Sequence, residues 1–106
     1  MKGFRNIKGY IMKKDLPLIR FACEGGMLQE VEILTERENL PLEYHFKVSD
    51  RRATELFLED RVVPQTRQHL EEALQRVGIP YYDPELLLRY NKGVSVEDSY
   101  WVRLED

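Results

Sequence analysis

Apolar residues recur at every second position up to Val48, and at every third or fourth position after Ser49. A period of two belongs to a pleated strand with one buried face. A period near 3.6 belongs to a helix with one buried stripe. Both periods in succession, rather than in alternation, read as an α+β chain: strands gathered into one antiparallel sheet, with helices packed on it. The 106 residues suit a single domain, with a β-rich meander over 1–48 and a helical part over 49–106.

The strand half is punctuated by turn residues. Ile7–Lys13 and Pro17–Cys23 are part-apolar runs parted by the polar Lys13-Lys14-Asp15. Gly25-Gly26 supply the positive φ that a tight hairpin needs. Met27–Leu34 follows, with Met27, Val31 and Ile33 on one parity and Glu30 and Glu32 on the other. The cleanest alternation is Leu42–Val48, where Leu42, Tyr44, Phe46 and Val48 interleave with Glu43, His45 and Lys47. It predicts a strand with four apolar groups inside and its polar groups in water. The expected sheet is antiparallel, of about four strands, with one wet face.

The helical half carries its own boundaries. Ser49 or Asp50 can cap a helix with Ala53, Leu56 and Phe57 on one stripe. Pro64 stops that helix and can open the next, which carries Leu70, Ala73, Leu74 and Val77 at helical spacing and ends at Gly78. Asp83-Pro84-Glu85 is a cap, a first-turn proline and an acid at the positive helix end. Leu86, Leu87 and Tyr90 supply its apolar side, and Asn91-Lys92-Gly93 closes that helix. Ser95–Asp98 starts a short turn or helix, and Tyr100–Leu104 is expected to be a short C-terminal strand.

Chemistry is sparse. No phosphate-binding glycine loop, dinucleotide pattern, paired-cysteine zinc spacing or nucleophile elbow occurs, so neither catalytic, cofactor nor metal residues are assigned. His45 is expected on the polar face of a strand and His69 on a helix flank, both solvated. The acid pairs Glu59-Asp60 and Glu71-Glu72 point apart on a helix and make no dyad. Cys23 reads as a small buried hydrophobe, and a lone cysteine suits a reducing cytoplasm. No apolar run approaches eighteen residues, so no membrane span is expected. Net charge is −3; residues 1–50 hold eight basic and eight acidic side chains, and residues 51–106 eight and eleven. That balance argues against nucleic acid as a partner and leaves only a local basic face as a route to it.

The remaining candidates are binding residues. Arg61 and Arg67 flank Pro64 symmetrically. They read either as capping and ion-pairing groups for Glu59, Asp60 or Glu71, or as an arginine pair for a partner's carboxylates or phosphates. Composition favours the structural reading. Tyr81, Tyr82, Tyr90, Tyr100 and Trp101 form a dense aromatic set, expected to be mostly core with one or two left at an edge.

Residues 56–104 resemble the N-terminal region of HipA-like serine/threonine kinases of Gram-positive bacteria. The resemblance is carried by Leu56 to Arg67, with its Arg-x-x-Pro-x-x-Arg junction at Arg61, Pro64 and Arg67, then by Leu70 and Leu74. A second block runs from Gly93 to Val102 and contains Gly-x-Ser-x-x-Asp-x-Tyr-Trp at Gly93, Ser95, Asp98, Tyr100 and Trp101. In that family this region precedes a kinase core, and none of the core's residues is present here. The resemblance therefore implies a stand-alone module without catalysis, similar to the small antitoxin-like subunit of some toxin–antitoxin systems that binds a kinase toxin. Arg61, Arg67, Asp98, Tyr100 and Trp101 become its expected partner-binding residues. A second reading is a helix-turn-helix DNA-binding regulator built from Thr66–Val77 and Pro84–Asn91, although its second helix would offer only Arg89 as a basic group. A third is a phage or mobile-element protein that binds a host factor.

Overall fold

Two tight turns fold the first strands onto one another. The computed structural model describes residues 3–105. Strand β1 spans Ile7–Lys13, β2 Leu16–Glu24 and β3 Met27–Ile33. Lys14, at φ 54°, sits in the two-residue turn between β1 and β2. Gly25 and Gly26 make the next turn at φ 63° and 81°, a conformation that side chains with a Cβ resist. The fourth strand, β4 (Tyr100–Glu105), returns from the far end of the chain and lies antiparallel beside β1. The sheet order is β3-β2-β1-β4, antiparallel throughout.

Three helices lie between β3 and β4. Helix α1 (Asp50–Asp60) starts at Ser49, whose hydroxyl accepts from the Arg52 N–H. Helix α2 (Leu70–Arg76) ends in a Schellman closure: Ile79 N–H reaches Leu74 C=O at 2.9 Å, and Gly78 N–H reaches Gln75 C=O at 3.1 Å. Helix α3 (Pro84–Asn91) is capped by the Asp83 carboxylate, which accepts from the N–H groups of Glu85 and Leu86. Glu85 does more than favour the helix dipole. Its Oε1 accepts the backbone N–H groups of Arg5 and Asn6, tying the N-terminal segment to α3.

The α+β architecture, the antiparallel sheet, the three helices and the C-terminal strand are as expected, but three local readings change. Leu42–Val48 is not a strand. Leu42–His45 is a 3-10 turn, and of the four apolar groups only Tyr44 is buried; Leu42, Phe46 and Val48 are exposed. Alternation fits a strand only where an edge offers backbone partners. Here Tyr44 N–H bonds to Pro41 C=O and Phe46 N–H to Glu43 C=O instead. The Tyr44 hydroxyl donates at 2.5 Å to Thr54 Oγ1, whose own proton goes to Asp50 C=O. That buried chain fixes the turn, so His45 lies on it rather than on a strand face.

The second change is that α2 begins at Leu70, not near Pro64. The residue before it, His69, is left-handed at φ 59°, which breaks any helix running in from Thr66. The third concerns β3. Its register with β2 shifts at Ala22/Cys23, so Leu28 faces the core at 2% exposure while Met27 is 63% exposed.

The main core lies on one face of the sheet. Ile7, Ile11, Ile19, Phe21, Leu28 and Val102 meet Ala53, Phe57 and Leu58 of α1, Leu88 of α3, and Leu40 and Tyr44. Each large aliphatic or phenyl side chain among them contributes about 1.5–3 kcal/mol by burial, so this cluster dominates stability. A smaller cluster of Leu74, Ile79 and Leu87 seats α2.

Gly9 permits the β1–β4 contact: a Cβ there would stand 2.1 Å from the Arg103 carbonyl oxygen. Gly9→Ala is therefore expected to cost about 1–3 kcal/mol, read as a lowered urea midpoint with Trp101 fluorescence as probe. An unchanged midpoint would contradict the close approach.

Candidate functional site

The strongest polar constellation forms where α1 ends. Arg61 is its C-cap, and the guanidinium forks onto Asp98, Nη1 to Oδ1 at 2.9 Å and Nη2 to Oδ2 at 2.6 Å. Nη1 also donates to Gly93 C=O at 3.2 Å. The guanidinium lies over the Phe57 ring, 4.5 Å from its centroid, with the Tyr100 ring 5.9 Å away. Phe57 and Tyr100 meet edge to face at 6.1 Å. Asn91 Nδ2 donates to Arg61 C=O, and Asp98 Oδ1 also accepts the Tyr100 N–H at 3.0 Å. The Arg61 side chain is 10% exposed and that of Asp98 31%.

Three of the five expected binding residues therefore meet in one junction, whose Arg61 guanidinium and Asp98 carboxylate are engaged within the fold. Arg61 pairs with Asp98, not with Glu59, Asp60 or Glu71. Beside the pair is a shallow cavity of about 390 Å³ lined by Asp60, Arg61, Asn91, Glu97 and Asp98, among others. Trp101 is elsewhere: across from Met12 it sits on the sheet face away from the helices, half-buried, its indole N–H donating to Lys14 C=O at 2.7 Å. Arg67 is exposed, its N–H closing a turn onto Pro64 C=O.

Titration behaviour follows the packing. The Arg61 guanidinium, hydrogen-bonded to Asp98, holds that carboxyl below the usual carboxylate range. Burial pushes the Tyr44 hydroxyl up, and likewise the Cys23 thiol, whose Sγ faces the Arg5 carbonyl at 3.4 Å. A raised thiol pKa works against nucleophilic use of Cys23. His69 stands beside Glu72 at 3.6 Å on the surface. Among the described residues, no group of three His, Cys, Asp or Glu could hold a metal ion.

The aromatic set is less buried than its composition suggests. Tyr82 is half-buried, with its hydroxyl on Val63 C=O, and Tyr100 and Trp101 are half-buried, while Tyr81 and Tyr90 are each 61% exposed. Tyr90 lies one turn beyond Leu86 on α3, and both face water, whereas Leu87 and Leu88 are buried. Val94 and Val96, just past α3, are exposed too. Sequence reasoning placed Leu86 and Tyr90 on the apolar side of α3. The adjacent Leu86-Leu87-Leu88 run, too wide for one stripe, was the signal that two sides exist.

The junction yields a pH prediction. Asp98 has a folded pKa below its unfolded value of about 3.9, so its stabilisation is complete above that pH and is lost as pH falls through the folded pKa. Asp98→Asn should flatten the acid limb of the stability curve. A double-mutant cycle of Arg61→Ala with Asp98→Ala should give a coupling of about 1–2 kcal/mol, between the exposed and buried limits for ion pairs. Coupling near zero would reduce the junction to an incidental contact.

No family profile, curated protein or solved structure matches this chain.

Proposed function

We propose that this chain is a protein-binding module without catalytic chemistry of its own, and that its partner is a HipA-like kinase subunit that it holds in check. The observation that carries protein binding is the two-sided character of α3. Leu87 and Leu88 are buried in this chain, while Leu86 and Tyr90 are exposed, as are Val94 and Val96 after the helix ends. A helix apolar on both sides is at home between two layers, and this chain supplies one of them. Exposed tyrosine is also favoured interface material, being large, stiff and amphipathic. A contact of roughly 1,200–2,000 Å² is ordinary for such a pair.

The kinase identity rests on the resemblance alone. Within it, the Arg-x-x-Pro-x-x-Arg and Gly-x-Ser-x-x-Asp-x-Tyr-Trp blocks gain a physical reason to occur together. Arg61 belongs to the first and Asp98 to the second, and they clasp each other across 37 positions. A lobe held together in this way can pack in trans as it would within one chain. DNA binding is the weaker reading, because the exposed side of α3 presents Leu86 and Tyr90, which suit an apolar groove better than phosphates.

Co-expression with a HipA-like kinase subunit encoded beside this chain should give a complex that co-purifies. Leu86→Ser with Tyr90→Ser should cut recovery roughly ten-fold or more while leaving circular dichroism unchanged. Recovery untouched by those changes would move the interface elsewhere. Salt-sensitive binding to duplex DNA without a protein complex would favour the regulator reading.

A further inference from the structure

A groove runs along the free edge of β4, where α3 ends against it. Its volume is about 400 Å³, and it is lined by Leu88, Arg89 and Lys92 of the helical side and by Trp101, Val102, Arg103 and Leu104 of β4. The floor is aliphatic, and among the described residues the charged ones in the lining are all cations. This departs from the chain's acidic balance, which is concentrated in this same half. The nearest acid along the strand, Glu105, is placed across from Lys8 of β1 and is absent from the lining.

The strand edge in this groove has backbone groups to offer. Val102 sits opposite Ile11, yet its N–H donates to Lys92 C=O at 2.7 Å, away from β1. In an antiparallel ladder, residues two apart point their N–H and C=O the same way. Leu104 therefore turns both groups to the open edge, just beyond the point where Lys92 covers it. Arg103 lines the groove, with its guanidinium laid over the Tyr10 ring at 4.8 Å on the sheet face away from the helices.

We propose that this groove takes an acidic, extended segment of a partner polypeptide, which pairs with β4 at Leu104 and sets its carboxylates against Lys92 and Arg103. Short strand addition supplies direction and register, and the cations select an acidic sequence. A peptide fits better than a single-stranded nucleic acid. Among the described residues the lining has one aromatic ring, Trp101, half-buried with its N–H tied to Lys14, whereas stacking platforms need open ring faces. The inference rests on the protein-binding reading and adds a second contact that does not use Leu86 or Tyr90.

The test is an amide-resolved NMR titration of the whole chain with an acetylated Val-Glu-Val-Glu-Val-Glu peptide. Its counterpart with lysine in place of glutamate and an oligo-thymidine of similar length run in parallel. The expected result is shifts at Val102, Arg103, Leu104 and Lys92 with the acidic peptide only, weakened by added salt. Binding should fall roughly ten-fold or more in Lys92→Glu with Arg103→Glu, and measurably in Arg103→Gln alone, where the fold is least disturbed. Leu86→Ser with Tyr90→Ser should leave the titration unchanged. No shifts at β4 up to about 1 mM peptide, equal binding of the lysine peptide, or stronger shifts with oligo-thymidine would each overturn the groove. Such failure with the kinase-subunit complex intact would remove this groove alone. Loss of that complex with the titration intact would remove the kinase reading and keep the groove.

Discussion

The pair Arg61–Asp98 ties the end of α1 to the start of β4. Arg61 closes α1, and Asp98 stands just before β4, the strand that completes the sheet. The fork fixes where the chain leaves the helices, and Tyr100 then enters the sheet with its ring against Phe57 and its N–H on Asp98. Arginine suits this post because its planar fork meets both carboxylate oxygens and its face stacks on an aromatic ring, neither of which lysine reproduces. With side chains 10% and 31% exposed, the pair is dry enough to matter and wet enough to escape the full cost of charge burial.

From that joint the rest follows in order. β4 can lie against β1 because Gly9 lacks a Cβ, and the sheet then reaches four strands, enough to support a packed face. Helices cover that one face, while Lys8, Tyr10, Arg20 and Arg103 are placed on the other. With the return strand fixed, α3 is held along its edge through the Lys92–Val102 bond. Its buried side is consumed by Leu87 and Leu88, and its outer side is left with Leu86 and Tyr90. The exposed apolar side of α3 is thus a by-product of how the chain closes.

Features that depend on one or two neighbouring residues were readable from the sequence. The positive φ at Gly25-Gly26, the Schellman glycine Gly78 and the Asp83-Pro84-Glu85 start all appear in place. What failed was pattern without context. Leu42–Val48 has the best alternation in the chain, but whether it becomes a strand depends on a free edge and on where the Tyr44 hydroxyl finds its partner. Thr54, on α1, decides that. At the candidate site, the sequence placed Arg61, Asp98 and Tyr100 on a shared list but could not show that they meet, since the contact spans most of the helical half. Gly9 inside an apolar run was a signal for close backbone approach, and Glu85's grip on Arg5 and Asn6 left none.

The proposed recognition surface is the outer side of α3 together with the adjoining edge of β4. Amide hydrogen–deuterium exchange of the chain alone and in its co-purified complex tests it most directly. Slowed exchange concentrated over Pro84–Asn91 and Tyr100–Glu105 is the predicted result. Unchanged exchange in those two elements, with slowing on β3 or α2 instead, would contradict it.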